Sequence, residues 1–96
     1  MHAVVRTYSG QGAKELLDVL DDKKITIERL IRKIKGFISF SLVRTDDGGF
    51  TVSVFQDKTG TEESTRVARE WTSKNAGPID VAPPKVVEGS VLLQVM

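Results

Sequence analysis

The chain lacks cysteine altogether, and its only histidine is His2. Without cysteine it can form neither disulfide bonds nor thiolate zinc sites, and it has no cysteine nucleophile. One histidine without a cluster of further ligands does not make a metal site. We therefore expect no bound metal, and no motif in the sequence indicates a bound cofactor.

Long apolar runs and a strong net charge are also missing. The apolar segments are too short to span a bilayer, and the first residues lack the basic and apolar pattern of a secretory signal. The formal net charge of +1 provides no strong field toward nucleic acid or membrane surfaces. We therefore expect a cytoplasmic protein with neither a nucleic-acid partner nor a membrane partner.

The residues that are present fit one small globular domain, residues 1–96. Apolar residues make up 40% of the chain and charged residues 28%, which are ordinary values for a globular protein. A domain of this length buries a limited fraction of its surface and is often marginally stable alone. Association with a second copy commonly stabilises such a domain, because it buries additional apolar surface.

Six segments of regular structure follow from the sequence pattern. Clusters of β-branched and aromatic residues predict strands, and apolar residues at helical spacing predict helices. In order, these are a strand at residues 2–8, a helix at 13–34, strands at 37–45 and 50–57, a helix from 59 to about 75, and a strand at 86–95. Two lysines interrupt the apolar stripe of the first helix, which indicates a kink or break near Asp22.

Turn and cap signals separate these segments. The Asp-Gly pair within residues 46–49 predicts a tight hairpin turn, because both residue types tolerate positive φ values. Thr59, followed three residues later by Glu62, predicts a capping box at the start of the second helix. The resulting order β-α-β-β-α-β predicts an α+β fold of the ferredoxin-like type, with a four-stranded antiparallel sheet and two helices on one face.

Strand alternation sorts the side chains into two faces of this sheet. We expect the more apolar set to face the helices: Ala3, Val5, Ile38, Phe40, Leu42, Phe50, Val52, Val54, Val91, Leu93 and Val95. The other set mixes polar and apolar residues: His2, Val4, Arg6, Tyr8, Ser39, Ser41, Val43, Ser53, Phe55, Asp57, Glu88, Ser90, Leu92 and Gln94. A mixed face of this kind suits contact with a second sheet, so the sequence predicts a homodimer formed through the sheet face.

Two segments resemble the centre of antibiotic-biosynthesis-monooxygenase-like proteins. They are GFISFSLVR at residues 36–44 and VSVFQDK at residues 52–58, which flank the Asp-Gly hairpin. The following helix, with Glu70 and Trp71, is similar too, and the resemblance covers nearly the whole chain in element order. It implies a dimeric α+β barrel in which two sheets pack face to face.

The same resemblance implies several activities. Members of the family include cofactor-free oxygenases of quinone-type substrates, haem-degrading enzymes and proteins of no known activity. Haem-degrading members use a His beyond the second helix and an Asn on the first strand. Here the only His is His2, and the first strand offers Arg6 and Tyr8 instead.

Four residues are candidates for contact with a ligand. Trp71 is either a pocket wall that stacks on a flat molecule or a core anchor. Arg6 and Tyr8 could bind an anionic or phenolic group, or could belong to a salt bridge across the sheet or the dimer. His2 could act as a general base, or could simply be exposed beside the terminus.

Nucleotide and RNA binding are disfavoured. Gly10-Gln11-Gly12 lies where a phosphate loop would lie, but Glu15 occupies the position of the third glycine in that motif. The aromatic pattern of an RNA-recognition sheet is absent as well. We therefore predict that the protein binds a small aromatic or quinone-like molecule. The alternative is a cofactor-independent monooxygenase acting on a small phenolic or quinone-type substrate, and a ligand-sized cavity with convergent polar groups would favour an enzyme.

Overall fold

The structure, a computed structural model, describes all 96 residues. Its elements are β1 His2–Ser9, α1 Ala13–Asp22, α2 Lys24–Arg32, β2 Phe37–Thr45, β3 Gly48–Phe55, α3 Lys58–Asn75 and β4 Lys85–Ser90. None of the three helices combines the length and the apolar character that crossing a membrane requires.

The four strands form one antiparallel sheet in the order β2-β3-β1-β4. The first strand therefore lies at the centre, between the third and the last, as the ferredoxin-like arrangement requires. All three helices pack on the same face of the sheet. The predicted α+β fold is confirmed.

The first predicted helix is divided in two. Lys23 has φ −103° and ψ 15°, which interrupts the helical backbone between α1 and α2. The break falls where polar residues interrupt the apolar stripe, so each half can turn its own apolar side toward the sheet. The helical layer thus contains three helices, and the interruption predicted near Asp22 is confirmed.

The hairpin between β2 and β3 differs from the expected turn. Thr45 pairs with Gly48, which leaves Asp46 and Asp47 as the loop, and no residue of this turn has a positive φ. Gly49 serves another purpose, because a Cβ there would lie 2.7 Å from Leu17 Cδ1. The glycine thus allows α1 to approach the sheet closely.

Two other expected boundaries are wrong. The N-cap of α3 is Asp57 rather than Thr59, and its carboxylate accepts a hydrogen bond from the Gly60 N–H at 3.4 Å. The last strand ends at Ser90 rather than Val95. Ser90 pairs with His2, the first residue of β1. Beyond it the Val91 N–H donates to the Met1 carbonyl at 3.0 Å, and the pairing ends there.

The assignment of side chains to the two sheet faces is also wrong for most of the sheet. The helices cover Val4, Arg6, Thr51, Ser53 and Phe55, all of which are buried. Four of these residues were expected on the mixed face away from the helices, and Thr51 was assigned to neither face. The face without helices carries Ala3, Val5, Val43, Phe50, Val52, Val54 and Val87. We call this second surface the open face.

One strand, β2, has the predicted orientation after a β-bulge near its start. The register between β2 and β3 shifts between Phe37 and Ser39. As a result Phe37 packs against the helix-side core together with Phe40, and Leu42 faces the helices too. Beyond the bulge, β2 follows the expected parity, whereas β1 and β3 carry the side chains that were expected under the helices on the opposite face.

Candidate functional site

A cavity of about 60 Å³ lies between the sheet and the three helices. Ten of its fourteen lining residues are apolar. A buried water needs about 10–15 Å³ of such volume, so the cavity has room for a few waters. Sites for drug-sized ligands are several times larger, at about 300–1,000 Å³. An aromatic ligand would therefore have to displace lining side chains or extend beyond the cavity.

A groove of about 320 Å³ adjoins this cavity between α3 and β4. The two share Arg6, Tyr8, Ala68 and Thr72 as lining residues. The cavity and the groove are thus neighbours separated by these side chains. We call the cavity and its adjoining groove the central pocket.

Arg6 is the most unusual residue of the central pocket, since its side chain is charged and the residue is only 4% exposed. Its Nη2 donates to Thr65 Oγ1 at 2.7 Å and to Ser64 Oγ at 3.3 Å. No carboxylate lies within salt-bridge distance of it. Within the single chain Arg6 therefore makes no salt bridge across the sheet. Its direct partners are neutral hydroxyl groups, and the carboxylate of Glu88 acts on its charge from beyond contact distance.

Tyr8 and Thr51 flank this guanidinium on the pocket floor. Thr51 is directly opposite Arg6 in the β1–β3 pairing, and its buried Oγ1 has no hydrogen-bond partner. The Tyr8 hydroxyl has no hydrogen bond within the protein either, while its ring packs in the main core cluster. Neither hydroxyl therefore uses its hydrogen-bonding capacity within the protein.

The ionisation of these groups follows from their burial. Burial lowers the pKa of the Arg6 guanidinium, although an arginine stays charged at any ordinary pH. Burial raises the pKa of Tyr8, and the neighbouring Arg6 charge opposes that rise. Near neutral pH the floor thus presents a fixed positive charge beside neutral hydroxyl donors.

Trp71 lies on the wall of the central pocket formed by α3. Ser64, Val67, Ala68 and Trp71 all line the cavity, so the predicted inner stripe of this helix is confirmed. Trp71 is half-buried and also packs against the core cluster that contains Tyr8. Trp71 therefore serves both as a wall of the pocket and as part of the hydrophobic core.

His2 does not join the other three candidates. It lies at the opposite end of β1, with Nδ1 2.9 Å from Thr61 Oγ1 and Nε2 3.8 Å from Glu88 Oε1. Its side chain is only 15% exposed, so it is held between α3 and β4 rather than frayed. The structure thus brings Arg6, Tyr8 and Trp71 together and leaves His2 outside the pocket.

Sequence reasoning missed Thr51 and Thr72 as pocket residues. Thr51 was overlooked because it falls between apolar residues and carries no distinctive chemistry of its own. Its place opposite Arg6 follows only from the register between β1 and β3, which no local turn signal fixes. No cluster of three or more His, Cys, Asp or Glu residues that could hold a metal ion is found.

Gly10-Gln11-Gly12 forms a structural turn. Gly10 and Gly12 have φ values of 77° and 75°, which favour glycine. The Gln11 side chain donates to Asp80 Oδ2 at 2.8 Å, and its carbonyl accepts from the Ala82 N–H at 3.0 Å. The turn therefore holds the loop between α3 and β4.

Comparisons with known proteins identify the fold. No protein-family model matches the chain, and no curated protein matches it either. Among solved structures, a protein of unknown function from Nitrosomonas europaea is similar, with a TM-score of 0.71 and 15% identity over 99% of this chain and 91% of that one.

Two further solved structures carry a description of activity. A monooxygenase of Streptomyces coelicolor, solved with nanaomycin D, matches with a TM-score of 0.60 and 20% identity over 99% of this chain and 89% of that one. The heme degrader MhuD of Mycobacterium tuberculosis, with two hemes in its active site, has a TM-score of 0.70 and 12% identity over the full length of both chains. The fold is thus that of antibiotic-biosynthesis-monooxygenase-like proteins, as the sequence resemblance implied.

Proposed function

We propose that this protein binds a small aromatic or quinone-like molecule in the central pocket and works as a homodimer joined through the open face. The observation that carries the proposal is the pocket itself, where apolar walls surround Arg6, Tyr8 and Thr51 with hydrogen-bonding groups left unused. Ligand sites in proteins commonly combine an apolar lining with a few polar groups of this kind.

The shape of the pocket favours a flat ligand. Its apolar lining includes Phe40 from the sheet and Trp71 from α3, and aromatic side chains pack well against a ring. The similar Streptomyces coelicolor monooxygenase was solved with a bound small molecule, nanaomycin D. A single ring would have to displace lining side chains to enter the cavity, and a larger molecule would extend into the groove.

The open face supports the homodimer. It carries apolar residues on every strand, and among them Val43 and Val87 are exposed. Monomeric proteins seldom leave a contiguous apolar patch uncovered. A second copy is the occupant that offers the same shape and chemistry, and an apolar sheet packs face to face on another at about 10 Å.

The alternative function is a cofactor-independent monooxygenase, and Arg6 is the observation that favours it. A guanidinium in an apolar pocket stabilises the anion of a bound phenol, and that electron-rich form is the one that reduces dioxygen. For a naphthol the balance is ArOH with one ring C–H plus O2 giving the quinone plus water. One oxygen atom enters the ring, and the other leaves as water with both hydrogens.

A binding experiment tests the proposed function. Trp71 is the only tryptophan of the chain, so its fluorescence reports on the pocket without labelling. We expect aromatic compounds such as 1-naphthol to change this fluorescence and to raise the melting temperature, because a ligand that binds only the native state stabilises it. The variant Ala68→Trp, which fills the pocket, should lose the melting-temperature rise.

Two results decide between the candidates. Oxygen consumption with bound 1-naphthol, measured with an oxygen electrode, would favour the monooxygenase, and binding without consumption would favour the non-catalytic protein. If no member of an aromatic and quinone panel shifts either signal, the proposed function is wrong.

A further inference from the structure

We propose that the ligand of the central pocket carries a carboxylate, which pairs with the guanidinium of Arg6. The inference rests on the proposed function, since it names the class of molecule that the same pocket takes. It goes beyond that function because an aromatic or quinone-like molecule need not be an anion.

The first reason is a charge without a counter-charge. Removing a charged group from water is costly unless an opposite charge or several strong hydrogen bonds replace the water. Arg6 is 4% exposed, and its only protein partners are the Ser64 and Thr65 hydroxyls. Both hydroxyls are neutral, and the favourable effect of the more distant Glu88 carboxylate is offset by the like charge of Arg69. The protein therefore supplies no direct counter-charge, which leaves that place to another molecule.

The second reason is the supply of unused donors. Both hydrogen bonds of Arg6 come from Nη2, while the N–H groups on Nε and Nη1 have no acceptor in the protein. A carboxylate accepts several hydrogen bonds at once and is a preferred partner of guanidinium groups. Thr51 lies opposite Arg6 in the sheet with an unpartnered, buried Oγ1, and adds a further donor beside the guanidinium.

The third reason is the neutral state of the other groups on the pocket floor. The Tyr8 hydroxyl is a donor without a partner, and burial keeps it protonated near neutral pH. None of the residues that line the cavity is acidic. The floor therefore repels no anion, while the apolar walls suit the ring that a carboxylate would carry.

The test compares two probes of nearly equal shape, benzoate and benzamide. Trp71 fluorescence and calorimetry measure the dissociation constants at pH 7 on the full chain. We expect benzoate to bind roughly tenfold or more tightly than benzamide, because a charged hydrogen bond is about twice as strong as a neutral one and the pocket is shielded from water.

Variants of Arg6 then identify the group responsible. Arg6→Gln should bring the two dissociation constants to within roughly threefold of each other, as expected when the charge is lost. Arg6→Lys keeps the charge and should retain part of the preference for benzoate, which protects the test if the glutamine variant folds poorly. Arg66→Gln is the matched control, since Arg66 is an exposed arginine on α3 that pairs with Glu63 and Glu70, and it should leave the preference unchanged.

The outcomes separate the two proposals. Equal binding of benzoate and benzamide would overturn the carboxylate and leave the aromatic site standing. A preference for benzoate that survives Arg6→Gln would overturn the role of Arg6. If neither probe binds and no neutral aromatic compound does, the pocket is not a ligand site and both proposals fail together.

Discussion

The two faces of the sheet contrast in an unexpected way. The face under the helices contains a buried arginine, two unpartnered hydroxyls and a cavity, whereas the open face is lined with valines and Phe50. A folded chain ordinarily buries its apolar residues and exposes its polar ones. Apolar residues thus occur on both faces, with the core under the helices, and the proposed function assigns a ligand to the helix side and a second copy to the open face.

The largest expected effect concerns the open face. Val87 on β4 is 56% exposed in the single chain, so Val87→Asp should fold normally. In the dimer, the new aspartate would be buried without a partner for its carboxylate. We therefore expect the dissociation constant of the dimer to rise roughly 100-fold. Sedimentation at a series of concentrations measures this change.

Ile25→Asp on α2 is the matched control. Ile25 is 58% exposed and lies on the helical layer, so this substitution introduces the same charge at the same exposure without touching the open face. A rise in the dimer dissociation constant with Ile25→Asp but not with Val87→Asp would show that the helical layer, not the open face, forms the contact.

Two adjacent valines of β1 compare the faces directly. Val4 is fully buried under the helices, and Val5 is half-buried on the open face. In the dilute, monomeric protein we expect Val4→Ala to lower the free energy of unfolding by about 2 kcal/mol and Val5→Ala by about 0.5 kcal/mol. Urea denaturation measures both, and the reverse order would mean that the faces are exchanged.

Replacing the buried charge of Arg6 should change the free energy of unfolding by a smaller amount and in the opposite direction, toward higher stability. Arg6→Met replaces an uncompensated charge by an apolar side chain of similar length, and such exchanges are often neutral or stabilising. The hydroxyls of Ser64 and Thr65 keep their bonds to the Thr61 carbonyl. We expect the ligand-free protein to gain about 1 kcal/mol of unfolding free energy, and a loss of similar size would show that Arg6 holds the fold together.

The smallest effect is the pH dependence that Tyr8 contributes. Burial raises its pKa in the folded state, so above about pH 10 the unfolded chain loses this proton before the folded chain does. The stability that Tyr8 contributes is therefore complete below pH 10 and falls as the pH rises toward the folded pKa. Tyr8→Phe should remove this part of the alkaline loss.

The absorbance of tyrosinate checks the same point directly. Tyr8 is the only tyrosine of the chain, so the titration belongs to it alone. The native protein should form tyrosinate at higher pH than the urea-unfolded protein, and coincident titration curves would contradict the burial of Tyr8.

Much of the fold was predictable from the sequence because local signals carry it. Strand composition, helical spacing and the lysines near Asp22 gave the element order and the helix break. The faces were not predictable from composition, because apolar residues occur at both parities and the open face has the greater share. Gly49, which pairs with Tyr8, was the overlooked signal. Its missing side chain makes room for Leu17 of α1, so the face on which Gly49 and Tyr8 lie is the one that the helices cover.

The candidate site was predicted in part for similar reasons. Trp71 stood out because it lies on the apolar stripe of its helix, and Arg6 and Tyr8 stood out as unusual residues on an otherwise apolar strand. The depth of Arg6 depends on which face the helices cover, and that prediction was wrong. The pairing of Thr51 with Arg6 depends on the register of β1 and β3. His2 drew attention by its chemistry alone, and the register of β1 places it away from the pocket.

Thiol labelling of two single-cysteine variants tests the central contrast most directly, because the natural chain contains no cysteine. Ser53 is fully buried on the helix side, and Ser41 is exposed on the open face. We predict that Ser53→Cys resists the reagent at every protein concentration, while Ser41→Cys reacts in dilute solution and becomes protected as the dimer forms. Rapid labelling of Ser53→Cys, together with concentration-independent labelling of Ser41→Cys, would contradict the account.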